Sequence, residues 1–208
     1  QKRVNDYSIY SIGLIAQILF SIRLLVQWLS SEKEKKVVAP TLFWSIGMIA
    51  SSLLFMYGYL RNDFAIMLGQ FITYYIYIRN LQLQHQWKKI LKSIRIFFIY
   101  FPIIILLIMF LYGANNSSQL FNKDYISSWL IVFGIISQVV FTFRFIYQWI
   151  FSEIIKTSKL PTGFWIISLL GAILILIYAI FRRDPVLCIG QIFGLVVYIR
   201  NLMILKRH

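Results

Sequence analysis

The chain has 208 residues, 60% of them apolar and 13% charged, where a soluble domain carries about 45–50% apolar and about 25% charged residues. That balance excludes an ordinary water-soluble domain, and one Cys, four Pro and ten Gly exclude disulfide-built, collagen-like and disordered chains. A net charge of +14 would ordinarily suggest nucleic acid, but Lys and Arg stand at the ends of apolar runs, the pattern of loops on an anionic membrane face, and no nucleic-acid partner is expected.

Seven apolar stretches follow in chain order, at 7–30, 41–60, 64–83, 94–113, 125–151, 163–181 and 185–205. Each has about 20 residues, enough for a helix to cross a hydrocarbon core of about 30 Å. None alternates with the period of two that a membrane barrel needs. Helices satisfy their own backbone groups in lipid, so the expected fold is an all-α membrane protein with seven transmembrane helices. The longer polar connections lie at 84–92 and 114–124. Cys188 sits inside an apolar run and reads as a small buried hydrophobe.

Lys and Arg divide unequally between the two sides of such a bundle. Lys2, Arg3, Arg61, Lys123, Arg182 and Arg183 fall on one side. Lys33, Lys35, Lys36, Arg79, Lys88, Lys89, Lys92, Arg95, Lys156, Lys159, Arg200, Lys206 and Arg207 fall on the other, which should be cytoplasmic. The N-terminus is then outside and the C-terminus inside. Arg23 and Arg144 remain, both within helices.

The chain repeats itself. Shifted by 121 positions, 13–81 falls on 134–202 without a gap, with 26 identities in 69 positions. The expected domains are a three-helix repeat over 7–83, a linker helix over 94–113 and a second three-helix repeat over 125–205. The single linker helix reverses the chain once, so the two three-helix bundles are parallel, and a substrate site at their interface is the transporter expectation.

Polar and aromatic positions dominate the identities. Arg23 and Arg144 each lie about eight residues, roughly 12 Å, from the cytoplasmic end of their helix. An Arg at that depth needs partners or water. Gln27 and Gln148 follow one turn later. The acidic residues lie at helix ends, so an anionic ligand (phosphate, diphosphate or carboxylate) could supply the counter-charge. The alternative is that each Arg braces its helix through Gln and backbone carbonyls.

Gln70, Tyr77 and Asn80 lie on one face of the third helix, and Gln191, Tyr198 and Asn201 repeat them. They read as a polar stripe lining a path, or as interhelical hydrogen bonds. Gly69 and Gly190 beside them should allow close helix approach. Gln17 and Gln138 complete the polar set. Trp28, Trp44, Trp149 and Trp165 flank the cytoplasmic loops, as interfacial anchors or as contacts for a sugar or isoprenoid chain. Arg79 and Arg200 suit the negative ends of their helices, and Asp63 and Asp184 read as N-caps. Glu32 and Glu153 sit at helix C-termini, where the dipole disfavours them, so each needs a basic partner such as Lys35 or Lys156. His85 and His208 have no metal-ligand spacing, and no phosphate loop, nucleophile elbow or Ser/His/Asp set is readable. Neither metal, cofactor nor catalytic residue is expected.

The string Gln17-x5-Arg23-x3-Gln27-Trp28-x3-Glu32, then Pro40-x2-Phe43-Trp44, then Tyr57-x3-Arg61-x-Asp63-x5-Gly69-Gln70-x6-Tyr77-x-Arg79-Asn80-Leu81 resembles the lipid-A-disaccharide synthase N-terminal-like domain. The second copy carries the same set. The three-helix unit also resembles the PQ-loop/SWEET superfamily, whose 3+1+3 layout and N-out, C-in orientation agree with the charge count. The Pro-Gln dipeptide is missing, and sugar-carrying SWEETs do not pair Arg in their first helices.

The resemblance implies a bacterial inner-membrane protein of glycolipid biosynthesis. No region large enough for a nucleotide-sugar site is present, so glycosyltransferase activity is not expected. A flippase-like transporter of an anionic glycolipid follows, such as a polyprenyl-phosphate-linked sugar or a lipid A intermediate. Arg23 and Arg144 would hold the phosphate, the Gln and Asn residues would line the path, and Trp would touch sugar or chain. The alternatives are a scaffold presenting lipid to a partner membrane glycosyltransferase, and a SWEET-like exporter of a small sugar or organic anion.

Overall fold

The computed structural model describes residues 2–60, 64–113, 128–182 and 185–206. Among them every long element is helical: α1 (Lys2–Glu34), α2 (Thr41–Leu60), α3 (Phe64–Leu83), α4 (Lys92–Gly113), α5 (Ser128–Ile155), α6 (Thr162–Arg182) and α7 (Pro185–Leu205), with a 3₁₀ turn at Trp87–Lys89. α1 and α5 run past the apolar stretches that announce them, because amphipathic turns carrying Glu32, Glu34 and Glu153 continue the helix beyond the hydrocarbon-length run. The start of the fifth stretch, the connection at 114–124, and Arg61, Lys123, Arg183 and the expected caps Asp63 and Asp184 lie outside the described residues.

Four spans among the described residues are long and apolar enough to cross a membrane: Ser8–Glu34, Thr41–Leu60, Val132–Ile155 and Thr162–Phe181. α3 is less apolar because Gln70, Thr73, Arg79, Asn80 and Gln82 occupy it. Large apolar side chains lie bare along the helices, among them Leu29, Phe97, Leu107, Val139 and Ile154. Such a surface suits lipid and is rare in water.

Two compact units form, and they cut across the repeat. The first comprises Gln1–Phe20 and Trp44–Asp124; the second comprises Ser21–Phe43 and Tyr125–His208. The C-terminal half of α1 and the loop after it thus belong with α5, α6 and α7.

Within the first unit, Phe55 of α2, Met67 of α3 and Ile105 of α4 form a buried centre, with Tyr59, Phe71 and Phe101 packed around it. Gly13 admits the ring of Tyr57; a Cβ there would stand 3.0 Å from it. Pro102 lies inside α4. It has no N–H, so the carbonyl of Phe98 loses its helical partner, and the ring crowds that same carbonyl. That carbonyl and its neighbour are served from α3: Tyr74 Oη donates to Phe98 O at 2.6 Å and Tyr75 Oη to Ile99 O at 2.8 Å. Polar backbone left open in lipid is thereby closed.

In the second unit, α6 packs against both α5 and α7. A Cβ on Gly171 of α6 would meet Phe141 Cα of α5 at 2.9 Å, and one on Gly134 would meet the Tyr178 ring at 2.6 Å. These glycines are where helices meet. Gly69 and Gly190, expected to do so, have no described atom within 4 Å of a built Cβ. That expectation is corrected: each glycine turns to an open side of its helix.

The loops after α1 and α5 are built alike. Lys35 and Lys156 end their helices in the left-handed region, both at φ 54°. Phe43 N donates to Pro40 O, and Phe164 N to Pro161 O, each at 3.0 Å, as the next helix starts.

Candidate functional site

The second unit gathers most of the polar residues singled out by the repeat. Arg23 and Arg144 are 3% and 5% exposed, so both guanidiniums are inside the protein. Neither reaches outward along its helix to an interface. Arg23 Cζ stands 4.8 Å from the Phe43 ring and 5.3 Å from the Phe145 ring. Arg144 Cζ stands 4.8 Å from that same Phe145 ring and 3.4 Å from Phe141. One phenylalanine therefore lies against two cations. The guanidinium carbons can be no farther apart than those two Phe145 distances laid end to end. Aromatic faces attract cations, which accounts for part of the stability of buried arginines here.

Arg144 Nη1 donates to Tyr198 Oη at 2.9 Å. The Tyr198 ring packs at 6.1 Å against Trp165, which in turn meets Phe164 edge-on at 5.0 Å. Trp165 is completely buried, and its Nε1 has no hydrogen-bond partner among the described residues. Trp44 is equally buried and packs against Tyr77 at 6.0 Å in the first unit. Burial corrects the expectation that these two tryptophans anchor at the membrane interface. Trp28 and Trp149 are partly exposed, and each indole donates to the Glu one turn on, at 3.0 Å to Glu32 and 3.2 Å to Glu153.

The amides near the arginines are engaged with the protein. Gln27 Nε2 reaches Asn201 Oδ1 at 2.8 Å, Ser31 Oγ at 2.9 Å and Val38 O at 3.3 Å. Asn201 Nδ2 returns a bond to Gln27 Oε1 at 3.0 Å and reaches Val197 O at 2.9 Å. In the second copy, Gln148 Nε2 donates to Ser152 Oγ at 2.8 Å and to Lys159 O at 3.0 Å. Val38 N and Lys159 N donate to Ser31 Oγ and Ser152 Oγ. A Gln and a Ser one turn apart thus hold the backbone of the following loop in both copies. Such loops need partners for groups a helix would satisfy itself.

The third-helix stripe behaves similarly. Gln70 Oε1 accepts from Ser51 Oγ at 2.9 Å, Asn80 Nδ2 donates to Ile76 O at 2.9 Å, and Tyr77 is buried. Gln191 is half-buried on α7, while Gln17 and Gln138 stand on exposed faces of α1 and α5. The structure thus brings Arg23, Arg144, Tyr198, Trp165, Gln27 and Asn201 into one unit and leaves Gln17 and Gln138 outward.

At the end of α1, the Arg200 guanidinium clasps Glu32, Nε to Oε1 and Nη2 to Oε2, the latter at 2.9 Å. Glu153 takes Lys156 at 3.4 Å as its sequence neighbourhood suggests. Arg79 Nη1 donates to Gln82 Oε1 at 3.1 Å.

Sequence reasoning passed over Phe141 and Phe145, the rings against Arg144, and the serines 31 and 152. The serines are identical between copies and one turn from a Gln, so that signal was present. Phe145 is Leu24 in the first copy, so comparison of the copies could not find it.

Comparisons with known proteins add the lineage. The Lipid A Biosynthesis N-terminal domain matches twice, at residues 12–82 and 133–203. The lipid-A-disaccharide synthase of Chlamydia pneumoniae is 30% identical over 210 residues, covering 97% of this chain and 34% of that protein. That of Chlamydia felis is 30% identical over 213 residues, with 96% and 33% covered. That of Chlamydia trachomatis serovar D is 28% identical over 213 residues, with 96% and 34% covered. The chain spans about a third of the length of these curated relatives. No solved structure gives a significant match. The two matched segments coincide with the internal repeat, and the chain belongs to the Lipid A Biosynthesis N-terminal domain family, as two copies in tandem.

Proposed function

We propose that this chain binds an anionic glycolipid and moves it between membrane leaflets, the glycolipid being a polyprenyl-phosphate-linked sugar or a lipid A intermediate. The observation that carries this reading is the convergence of the buried Arg23 and Arg144 on the Phe145 ring. Even at the largest separation those contacts allow, about 10 Å, two like charges repel by roughly 2 kcal/mol at an effective dielectric of about 20. A phosphate between them reverses the sign of that term and offers bidentate acceptors. The Gln27–Asn201 pair and the Gln148–Ser152 pair hold the arginine-bearing turns in place, and Trp lies beside the site for sugar or chain. In this reading all seven helices cross the bacterial inner membrane as two parallel SWEET-like repeats around a linker helix. The N-terminus is outside and the C-terminus cytoplasmic, as the Lys and Arg distribution supports.

Purified protein in vesicles, supplied with a labelled polyprenyl-phosphate sugar, tests it. Wild type should exchange the lipid between leaflets; Arg23→Ala with Arg144→Ala should not, while keeping its helical signal and melting temperature. Equal exchange by the folded double variant would falsify the arginine site.

The relatives favour a second reading. Proteins named lipid-A-disaccharide synthase contain this whole region as about a third of their length. The chain would then hold the glycolipid for a membrane glycosyltransferase without moving it. Under that reading the vesicles show binding and no exchange, and the partner enzyme's rate rises when the chain is present.

A further inference from the structure

We propose that Trp165 and Tyr198 are hydrogen-bond donors to a phosphoryl group held by Arg23 and Arg144, and that this donor-only set selects a phosphoryl head over a hydroxyl-bearing one. The inference rests on the anion-binding reading above and gives it a chemical class.

Trp165 is 0% exposed, and its indole N–H has no hydrogen-bond partner among the described residues. Buried donors are almost always paired, so one left open, one ring away from the Arg144 guanidinium, points to an acceptor that comes from outside the chain. Its ring touches Tyr198 at 6.1 Å. The Tyr198 hydroxyl accepts from Arg144 Nη1 at 2.9 Å. A phenol has one proton, and with its oxygen engaged by a guanidinium that proton is turned to donation. The indole can only donate, and so can both guanidiniums.

Tyr198 thus links Trp165 to Arg144, and Phe145 lies against both arginines, so four donor groups of one unit are joined through shared neighbours. A sugar hydroxyl or an ammonium head brings hydrogens of its own and would oppose them. A carboxylate has acceptor sites enough, but they lie in one plane and carry a single charge for two guanidiniums. An ionised phosphate monoester, as on a lipid A-type head or a polyprenyl monophosphate, brings three terminal acceptor oxygens and up to two negative charges, which suits two guanidiniums and two single donors better than the two free oxygens of a phosphodiester. Trp165 then acts through its N–H as well as its ring, and its contribution should survive in no residue that keeps the ring alone.

The test measures binding by the full chain in detergent, with no transport step. The probes are a polyprenyl monophosphate, the corresponding polyprenol, and inorganic phosphate. Wild type should hold the phosphate lipid at least tenfold more tightly than the alcohol. Trp165→Phe and Tyr198→Phe should each weaken the phosphate lipid by about tenfold, the size of a lost hydrogen bond to a charged group, and leave the alcohol unchanged. Trp129→Phe, at an exposed ring, should change neither. Tyr198→Phe keeps nearly the same volume and carries the test if Trp165→Phe melts early.

Inorganic phosphate that binds as tightly as the lipid, with the same loss in both variants, supports the donor set and makes free phosphate its source. Alcohol bound as tightly as phosphate, or both probes weakened alike by the variants, overturns the proposal and leaves Trp165 a packing residue. Phosphate binding that depends on Trp165, without exchange in vesicles, keeps this inference and removes translocation. Exchange with wild-type binding by both variants does the reverse.

Discussion

Gln27 and Asn201 exchange amide hydrogen bonds in both directions, at 2.8 Å and 3.0 Å, across 174 residues of sequence. Both side chains are completely buried. One comes from the first helix of the first copy, the other from the third helix of the second copy. The copies are therefore interlocked: a turn of one is held by a helix of the other.

Removing either amide leaves the other buried with open polar atoms. Gln27→Ala and Asn201→Ala should each destabilise the protein by about 1–3 kcal/mol. The double variant should cost less than the two together, by about 1 kcal/mol, because the second truncation removes a group already stranded. Denaturant unfolding in detergent of the four proteins of the cycle measures this. Strict additivity would mean that the two amides are held by separate partners.

A similar cycle applies to α4. Tyr74 serves the Phe98 carbonyl that Pro102 leaves open, and Tyr75 serves its neighbour at Ile99. Tyr74→Phe should destabilise the native chain by about 1 kcal/mol. With Pro102→Ala, the amide of residue 102 returns to the Phe98 carbonyl, and the same Tyr74→Phe change should cost a few tenths. If the cost is equal in both backgrounds, the tyrosine does not compensate the proline.

Much of the fold was legible, and the reasons are local. Apolar runs of membrane length gave α2, α3 and α7 with their ends, because polar or turn residues bound them sharply. The offset of 121 gave the pairing of copies and singled out Gln27, Arg23 and Arg144. What stayed hidden was partnership. Glu32 has nearby lysines in sequence, yet Arg200 clasps it from 168 residues away. Tyr74 and Tyr75 are Leu195 and Val196 in the second copy, so a search for repeated residues discards them. They answer to α4, the helix that follows the first copy. Gly69 and Gly190 misled because a small residue beside a polar one resembles a helix crossing, whereas the crossings fall at Gly13, Gly134 and Gly171.

That contrast predicts opposite effects for one substitution. Gly171→Ala puts a methyl 2.9 Å from the Phe141 backbone, which cannot rotate away. α5 and α6 must part, disturbing the Phe141 ring under Arg144, at a cost of about 1–3 kcal/mol. Gly190→Ala meets no described atom within 4 Å and should stabilise α7 by up to about 1 kcal/mol through helix propensity. Melting temperatures of the two variants should move in opposite directions from wild type.

The helix ends give a prediction independent of the site. Lys156 holds φ 54°, a conformation that costs a side-chain residue about 1 kcal/mol and glycine little. Its ion pair with Glu153 is lost in Lys156→Gly, but the lysine side chain is 74% exposed and the pair is water-screened. Backbone relief should win, and Lys156→Gly should melt higher than wild type. A lower melting temperature would mean that the ammonium holds more than Glu153.

Arg200 should behave otherwise, because geometry as well as charge holds Glu32. Nε and Nη2 meet the two carboxylate oxygens side by side, a fork that an ammonium cannot copy. Glu32 also accepts from the Trp28 indole, so its position fixes the last turns of α1. Arg200→Lys keeps the charge and loses the fork; it should lower the melting temperature almost as far as Arg200→Ala. Salt separates the two contributions. A pair held by charge alone weakens as ionic strength rises, whereas the gap between Arg and Lys at this position should persist in concentrated salt, since it reflects directed hydrogen bonds. If Arg200→Lys melts like wild type at every salt concentration, the carboxylate is held by charge and the fork is incidental.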